Sequence, residues 1–357
     1  MLIATVVGNR PQFVKAAAVS RKLRETHEEL LIHTGQHHDD ELSRVFFEEL
    51  RIPAPERQLE VHGGTNTDQT ARMLAAIDPE LRAAKPDLVL VYGDTNSTLA
   101  GALTAAQQRI PVAHVEAGMR SFDRAMPEEL NRVLADHASD LLFCSTPTAV
   151  DNLGRENVRD GVHLVGDVMA DVALAFLPVA EERSTALADN GVEPDGYLLM
   201  TVHRAGNVDV PERLERVVEL AERLPLPGVF PVHPRTRARL EDAGLMGRLE
   251  AALRVTPPLG YLDFLKLARH AKAVLTDSGG VQKEAYLVGT PCVTLRDTTE
   301  WVETVKTGWN VLVDLDVGAA LDALLRPPPG GERPELYGGG RAAERICDVL
   351  AAYTPSR

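Results

Sequence analysis

Two carboxylates follow apolar runs in the first half of the chain. Asp94 comes shortly after residues 88–92, and Glu116 directly follows residues 112–115. Parallel strands turn their carboxyl ends toward one edge of a sheet, so both acids are predicted to face the same crevice. Two carboxylates in different environments can perform acid and base chemistry together. The pair therefore indicates a site for proton transfer.

A third acid, Glu128, stands four residues before Arg132. Residues at this spacing share one face of a helix, and the spacing is also typical of a surface salt bridge. Taken alone, the pair favours that simpler interpretation. It gains weight only because it follows Asp94 and Glu116 in the chain.

Two histidines, His203 and His233, directly follow apolar runs in the second half of the chain. At the carboxyl ends of strands they indicate a proton donor and phosphate ligands. No close ligand spacing such as HxxxH or CxxC occurs, so a metal site is poorly supported. The adjacent pair His37-His38 is not interpreted as a metal site.

Residues 273–284 give the strongest local signal. An apolar strand ends at Asp277, and Ser278, Gly279 and Gly280 lead at once into a helix. Free backbone N–H groups and the positive end of the helix dipole would form a phosphate site there. Glu284 would lie one or two turns into the helix, near ribose hydroxyls. The alternative is an ordinary glycine-containing loop, and the pattern is not that of an ATP or NAD loop.

The first strand leads into a similar turn. Gly8 permits a close backbone approach, Pro11 favours a first helical turn, and Arg10 is delivered to the carboxyl edge of the sheet. Lys15 follows one turn later in the same predicted helix. A tight turn with a solvated arginine is the alternative.

Short apolar strands alternate with amphipathic helices along the whole chain, which predicts an α/β fold with two parallel, doubly wound sheets. The predicted helices include 11–24, 39–50 and 340–352. The first sheet is expected from strands at 2–7, 30–33, 88–92, 112–115, 141–143 and 163–165. The second is expected from strands at 198–202, 229–232, 254–256, 273–276, 292–295 and 311–313.

Composition limits the function classes. A net charge of -14 argues against nucleic acid as a partner, because phosphate backbones attract basic surfaces. Three cysteines without a close pair predict reduced, buried thiols. The first residues lack the features of a signal peptide, and no apolar run approaches the length of a membrane span, so a cytoplasmic protein is expected.

Taken in order, the motifs resemble those of the non-hydrolysing UDP-N-acetylglucosamine 2-epimerases, which share the two-domain GT-B fold of many glycosyltransferases. The resemblance covers essentially the whole chain, and the order of many motifs makes it specific. It rests on Gly8-x-Arg10-Pro11, Thr34-Gly35-Gln36-His37, Gly93-Asp94-Thr95, His114-Val115-Glu116-Ala117-Gly118, Pro127-Glu128-Glu129, Asn131-Arg132, His203-Arg204, Pro231-Val232-His233, Asp277-Ser278-Gly279-Gly280 and Arg296-Asp297-Thr298-Thr299-Glu300.

The resemblance implies two Rossmann-like domains facing each other across a cleft. Residues 1–170 would carry the acid/base groups, residues 171–339 would bind UDP, and the last segment, 340–357, would pack back on the first domain. The polar, turn-rich stretch 180–196 separates the two series of strands. A homodimer is also implied.

The family mechanism implied by the resemblance is anti elimination of UDP after removal of the C2 proton. A glycal intermediate is formed, and UDP adds back while C2 is reprotonated on its other face. The implied catalytic residues are Asp94, Glu116, Glu128, Arg132 and His203. No metal or nicotinamide is expected, because UDP itself restores the anomeric bond.

The resemblance also implies a binding site for UDP. The diphosphate would be stabilised by Arg10, by His233 and by the loop Ser278, Gly279 and Gly280, with Lys15 carried over more weakly. Ribose would be held by Glu284, and uracil would pack on Phe264.

Some residues depart from the family pattern. Gln12 stands where the first motif usually has glutamate, Trp301 replaces an arginine, and Lys283 stands where an acid is frequent. These features are similar to a subgroup acting on sugars such as UDP-2,3-diacetamido-glucuronic acid. The segment Gln36-His37 resembles the loop with which bacterial members sense a second UDP-GlcNAc.

Other functions are also compatible with these motifs. A GT-B glycosyltransferase would share the fold, but it would build an acceptor site where the acids cluster. A non-catalytic UDP-sugar sensor would need no acid/base set. A hydrolysing relative would release free ManNAc and UDP.

Overall fold

The chain forms two compact units, each built on its own parallel sheet. The first unit comprises Met1–Val172 and Glu335–Arg357, and the second comprises Ala173–Pro334. This computed structural model describes residues 1–36, 54–330 and 332–354, with the backbone alone of Arg10. The predicted helix 39–50 and the His37-His38 pair lie outside the described residues.

The first unit contains a seven-stranded sheet in the order β3-β2-β1-β4-β5-β6-β7. Its strands are β1 (Leu2–Val7), β2 (Glu28–His33), β3 (Arg57–Gln58), β4 (Leu88–Tyr92), β5 (Val112–Ala117), β6 (Leu141–Cys144) and β7 (Val162–Leu164). The helices that accompany them are α1 (Arg10–Leu23), α2 (Asn66–Ala84), α3 (Asn96–Gln107), α4 (Pro127–His137), α5 (Pro147–Arg155) and α6 (Val168–Arg183). The chain of α6 continues into the second unit.

The second unit contains a six-stranded sheet in the order β10-β9-β8-β11-β12-β13. Its strands are β8 (Leu198–Thr201), β9 (Gly228–Pro231), β10 (Arg254–Thr256), β11 (Ala273–Thr276), β12 (Cys292–Thr294) and β13 (Asn310–Leu312). Its helices are α7 (Ala186–Asn190), α8 (Ala205–Val208), α9 (Pro211–Glu222), α10 (Pro234–Asp242), α11 (Met246–Ala252), α12 (Tyr261–His270), α13 (Gly279–Val288), α14 (Val302–Lys306) and α15 (Val317–Leu324).

The last helix, α16 (Ala342–Ala352), belongs to the first unit and packs against α1. The Asp171 carboxylate accepts the N–H groups of Ala342 and Ala343 at 3.0 and 2.7 Å, which satisfies two donors at the start of α16. Arg345 donates to the backbone oxygen of Val165 at 2.9 Å. A carboxylate at the positive end of the helix thus fixes α16 to the first unit.

Burial explains why the strands read as continuous apolar runs. Val6 of β1 and Val91 of β4 are fully buried, and they share a core with Met73, Ile77 and Leu81 of α2. Strands covered on both faces need apolar side chains in both orientations. The predicted α/β class with two parallel, doubly wound sheets is therefore confirmed.

The strand order places the functional loops. In a doubly wound sheet, ligands bind at the carboxyl ends of the strands where the order reverses. The reversal lies between β1 and β4 in the first sheet and between β8 and β11 in the second. The loops after these strands carry Arg10, Asp94, His203 and Ser278.

Several strand boundaries differ from the prediction by one or two residues, and two differences in the first sheet concern its edge and its bulge. The short β3 was not predicted, because its two residues are exposed and polar. β5 continues through Glu116 to Ala117, where a bulge shifts its register with β6. Among the described residues, no helix is both long enough and apolar enough to cross a membrane.

Candidate active site

Side chains bind three consecutive backbone carbonyl groups, those of residues 92–94, in the loop that follows β4. Gln12 donates to the first carbonyl oxygen at 2.7 Å, and Asn131 donates to the third at 3.0 Å. A ring nitrogen of His114 lies 2.7 Å from the second. Buried carbonyl groups need such partners. The backbone of Asp94 is thereby fixed from α1, α4 and β5.

The Asp94 side chain pairs with Arg132 from α4. Arg132 also donates to Glu129 at 3.2 Å, and its side chain is only 11% exposed. Glu129 is buried and additionally accepts the backbone N–H of Ser121 at 2.8 Å. Its neighbour Glu128 lies exposed in the first turn of α4. Glu129 therefore has a structural role that the sequence did not predict.

Glu116 occupies the bulge of β5 with a backbone φ of 72°. This left-handed conformation is uncommon for residues other than glycine, and it costs backbone energy. The bulge turns the carboxylate toward α1, where Lys15 donates a hydrogen bond to it. Glu116 is thus aimed by a strained backbone and held by a buried cation.

Lys15 brings the two predicted acids together. Burial disfavours its charged form, but the charges of Glu116, Asp94 and Asp167 outweigh burial and raise its pKa above the ordinary value. A side chain at Gly93 would lie 3.3 Å from Lys15 Nζ and 3.4 Å from Glu116. The ammonium therefore sits over the loop after β4, surrounded by acids.

Asp167 was missed by the sequence analysis. It is almost fully buried after β7, and one of its oxygens accepts the backbone N–H of Met169 at 2.7 Å. The only signal was an acid after a glycine at a strand end, a pattern found in many loops.

Gly8 permits the close approach that the sequence predicted. A Cβ atom there would lie 1.9 Å from the hydroxyl of Ser97 and 2.4 Å from that of Thr34. The Asn9 side chain then caps α1 by accepting the N–H of Gln12 at 3.1 Å. Arg10 is the first residue of α1, and its side chain lies outside the described part of the structure.

In the second unit, Asp277 ties the loop after β8 to the end of β11. Its buried carboxylate accepts the backbone N–H groups of His203 and Arg204 at 3.1 and 2.9 Å, and the side chain of Asn207 at 3.1 Å. A rigid connection between two neighbouring strand ends results. Neither Asp277 nor Asn207 was singled out for this role from the sequence.

The two predicted histidines lie close together, with ring centroids 5.9 Å apart. Burial lowers the pKa of His203 against the opposing charge of Asp277. Burial, His203 and Arg235 lower the pKa of His233, which is exposed at the start of α10. Both rings are therefore neutral at neutral pH and gain a proton more easily when an anion approaches.

The start of α13 is the predicted anion site. Ser278 is its N-cap, and Gly279 and Gly280 form its first turn. Beside Gly279 lie Glu300, Trp301 and Arg204, at 3.4, 3.6 and 3.8 Å from the position of a Cβ atom. The helix dipole, the N–H groups of the first turn and Arg204 face this point, which suits a phosphate group. The neighbouring Glu300 carboxylate is paired with Arg296 at 3.0 and 3.1 Å.

Two departures from the family pattern contact each other. Lys283 Nζ lies 4.1 Å from the ring centroid of Trp301, and both side chains are buried. This cation–π contact fixes the indole beside α13. Glu284 is buried on the same helix, and Phe264 is half-buried on α12.

Comparison with known proteins identifies the pattern. The family model described as UDP-N-acetylglucosamine 2-epimerase matches residues 21–351. A UDP-N-acetylglucosamine 2-epimerase homolog of Methanococcus maripaludis is 48% identical, with 98% of this chain and 99% of that protein covered. The UDP-2,3-diacetamido-2,3-dideoxy-D-glucuronate 2-epimerase of Pseudomonas aeruginosa is also 48% identical, with the same coverage.

Solved structures agree. The crystal structure of Methanocaldococcus jannaschii UDP-GlcNAc 2-epimerase in complex with UDP-GlcNAc and UDP matches with a TM-score of 0.91 and 41% identity, covering 99% of this chain and 100% of that chain. The Neisseria meningitidis enzyme bound to UDP-GlcNAc matches with a TM-score of 0.87 and 29% identity, covering 99% and 100%. The fold is thus of the GT-B type that these enzymes share.

We predict that Lys15 and Glu116 stabilise the first unit as a coupled pair. Glu116→Gln removes the main counter-charge of a largely buried ammonium and should lower the free energy of unfolding by about 1–3 kcal/mol. Lys15→Met should have a similar effect, and the double variant should lose less than the sum. Urea unfolding measures all three variants.

Because the pKa of Lys15 is raised, its stabilising effect is complete below the unfolded value of about 10.4 and is lost as pH rises through the folded value. The differences should therefore be equal at neutral pH and in mild alkali. Lys22→Met, which opens the exposed pair with Glu25, is the control and should change the free energy of unfolding far less than either buried substitution. Additive effects of the two buried substitutions would contradict the coupling.

Proposed function

Because this chain belongs to the UDP-N-acetylglucosamine 2-epimerase family, we propose that it inverts C2 of a UDP-linked N-acetylamino sugar and interconverts UDP-GlcNAc and UDP-ManNAc. The observation that supports this chemistry best is a pair of cation-bound carboxylates at neighbouring strand ends. Asp94 after β4 is paired with Arg132, and Glu116 in β5 is paired with Lys15.

Proton transfer at C2 requires a base on one face of the sugar and an acid on the other. Asp94, Glu116 and Glu128 form the acid/base group of this proposal. The base takes the C2 proton, the C–H electrons form the C1–C2 double bond, and the C1–O bond breaks with its electrons leaving on the diphosphate. Arg132 and Lys15 hold their partner carboxylates in place through ion pairs, which fixes the geometry for proton transfer.

The diphosphate leaves as an anion and must be stabilised until it adds back to C1. The start of α13, with Ser278, Gly279 and Gly280, supplies N–H groups and the helix dipole. The pKa values of His203 and His233 are lowered in the structure. The negative charge of a bound diphosphate would raise both pKa values. His203 would then donate to the departing oxygen, and Arg10 would add positive charge.

The rest of UDP is assigned to the same unit. Glu284 would accept hydrogen bonds from ribose hydroxyls, and Phe264 would pack on uracil. The elimination and re-addition are redox-neutral, because C1 and C2 return to their original oxidation states. In this scheme the first unit transfers the C2 protons, and UDP is held mainly by the second unit, with Arg10 of the first unit adding positive charge.

A second substrate is favoured by specific observations. The relative from Pseudomonas aeruginosa at 48% identity is a UDP-2,3-diacetamido-2,3-dideoxy-D-glucuronate 2-epimerase. This chain also carries the Lys283–Trp301 contact at the residues that depart from the common pattern. The second candidate is therefore the same C2 inversion on that modified sugar.

The substrate test is incubation of the purified protein with UDP-GlcNAc in D2O, followed by NMR. Deuterium at C2 together with UDP-ManNAc is the expected result, because reprotonation draws on solvent. Deuterium incorporation with the diacetamido-glucuronate alone would establish the second candidate. Free ManNAc and UDP would indicate hydrolysis, and absence of exchange with either sugar would contradict epimerisation.

We also infer a homodimer. Leu130 and Leu134 are exposed on one face of α4, at 48% and 44%, and nearby Phe122 is 69% exposed. Exposed apolar groups at such spacing are typical of contact surfaces. Light scattering after gel filtration should give twice the monomer mass, and Leu130→Glu with Leu134→Glu should halve it. A monomeric wild-type protein would contradict the inference.

A further inference from the structure

His114 is a buried histidine for which the proposed mechanism has no use. It lies in β5, and its ring is fully buried. Nδ1 is 2.7 Å from an oxygen of Asp136 in α4, and Nε2 is 2.7 Å from the backbone oxygen of Gly93. Each ring nitrogen thus faces an oxygen at hydrogen-bond distance.

The protons on this ring follow from its two partners. The backbone oxygen of Gly93 can only accept, so Nε2 must carry a proton to bond it. Asp136 also accepts the N–H of Gly118 at 3.1 Å and a guanidinium N–H of Arg120 at 2.7 Å. A carboxylate that already accepts two donors is best placed to accept a third from Nδ1 as well.

The charges around Asp136 keep it ionised. Burial favours its neutral form, but hydrogen bonds and charges from His114 and Arg120 lower its pKa below the ordinary value. Arg120 is in turn held by Glu156 at the end of α5, at 2.7 and 2.8 Å. The titratable groups around this region are therefore Asp136, Arg120, Glu156 and Cys144, and Glu116 and Lys15 lie at the loop of Gly93.

We propose that His114 is a positioning residue, held as an imidazolium with a proton on each nitrogen, which ties the loop of Asp94 to β5 beside Glu116. The role as a positioning residue rests on the proposed function, whereas the two protons rest on geometry alone. Gln12 and Asn131 hold the neighbouring carbonyl groups, at 2.7 and 3.0 Å. His114 supplies the middle and only cationic member of this set of three.

Loss of one proton would break the arrangement. A neutral imidazole has a single N–H, so either Gly93 loses its donor or the Asp136 carboxylate faces a lone pair. A loop freed at Gly93 moves the adjacent Asp94 away from its place beside Glu116. Misplacement of a catalytic group by about 1 Å can cost about 100-fold in rate.

The ring protons are tested by 15N NMR of the histidine-labelled full chain. A signal with both ring nitrogens protonated should be present at neutral pH, because both ring nitrogens face acceptors. It should vanish in His114→Gln and remain in the control His62→Gln, which alters an exposed histidine of the same unit. A ring with one proton at neutral pH in the wild-type protein would overturn the proposal.

Asp136→Asn provides an independent variant. Its amide can donate to Nδ1 of a neutral ring and leave Nε2–H on Gly93, so the doubly protonated signal should disappear while the loop stays bonded. It should therefore lose less kcat than His114→Gln. This comparison keeps the proposal testable if His114→Gln fails to fold.

The positioning role is tested by kinetics with the sugar that the wild-type enzyme turns over. His114→Gln should lower kcat by about 10- to 100-fold and change KM by less than about threefold. A fall in thermal midpoint with kcat of the folded fraction unchanged would reduce His114 to a packing residue and overturn the role. An inactive wild-type enzyme would instead overturn the proposed function, and the NMR result would still decide the two protons.

Discussion

The ion pair of Lys15 and Glu116 lies where β4 and β5 end, and much of the first unit is arranged around it. A buried ammonium needs nearby negative charge, and Asp94 and Asp167 add to that of Glu116. Arg132 in turn pairs with Asp94, so each predicted acid has a cationic partner. Charge balance at this edge of the sheet therefore keeps several carboxylates close together.

The backbone around these acids is also held in a defined conformation. The loop before Asp94 is bonded at three consecutive carbonyl groups, and Glu116 sits in a bulge with a positive φ. Such strain persists where the surroundings over-determine it. In the second unit, Asp277 plays a comparable part by tying the loop after β8 to the end of β11. In both units, hydrogen bonds from neighbouring elements thus fix the loops at the point where the strand order reverses.

The sequence predicted the sheets well because buried parallel strands are continuous apolar runs. β1 and β4 match the prediction to the residue, whereas β3 has no apolar run to reveal it. The bulge at Glu116 depends on packing against β6 and leaves no local pattern. His114 stood in a recognised motif, but its role required the positions of Asp136 and Gly93, which come from distant parts of the chain. Likewise, only burial distinguishes Glu129 from Glu128.

In the proposed mechanism, proton transfer at C2 depends on the first unit, whereas UDP is held mainly by the second. Two measurements on purified Asp94→Asn test this division. UDP is titrated into the variant, and C2 deuterium exchange of the UDP-linked sugar is measured separately. UDP affinity should stay within about threefold of wild type, and C2 exchange should be at least about 100-fold slower. A parallel loss of UDP affinity, or exchange at the wild-type rate, would contradict it.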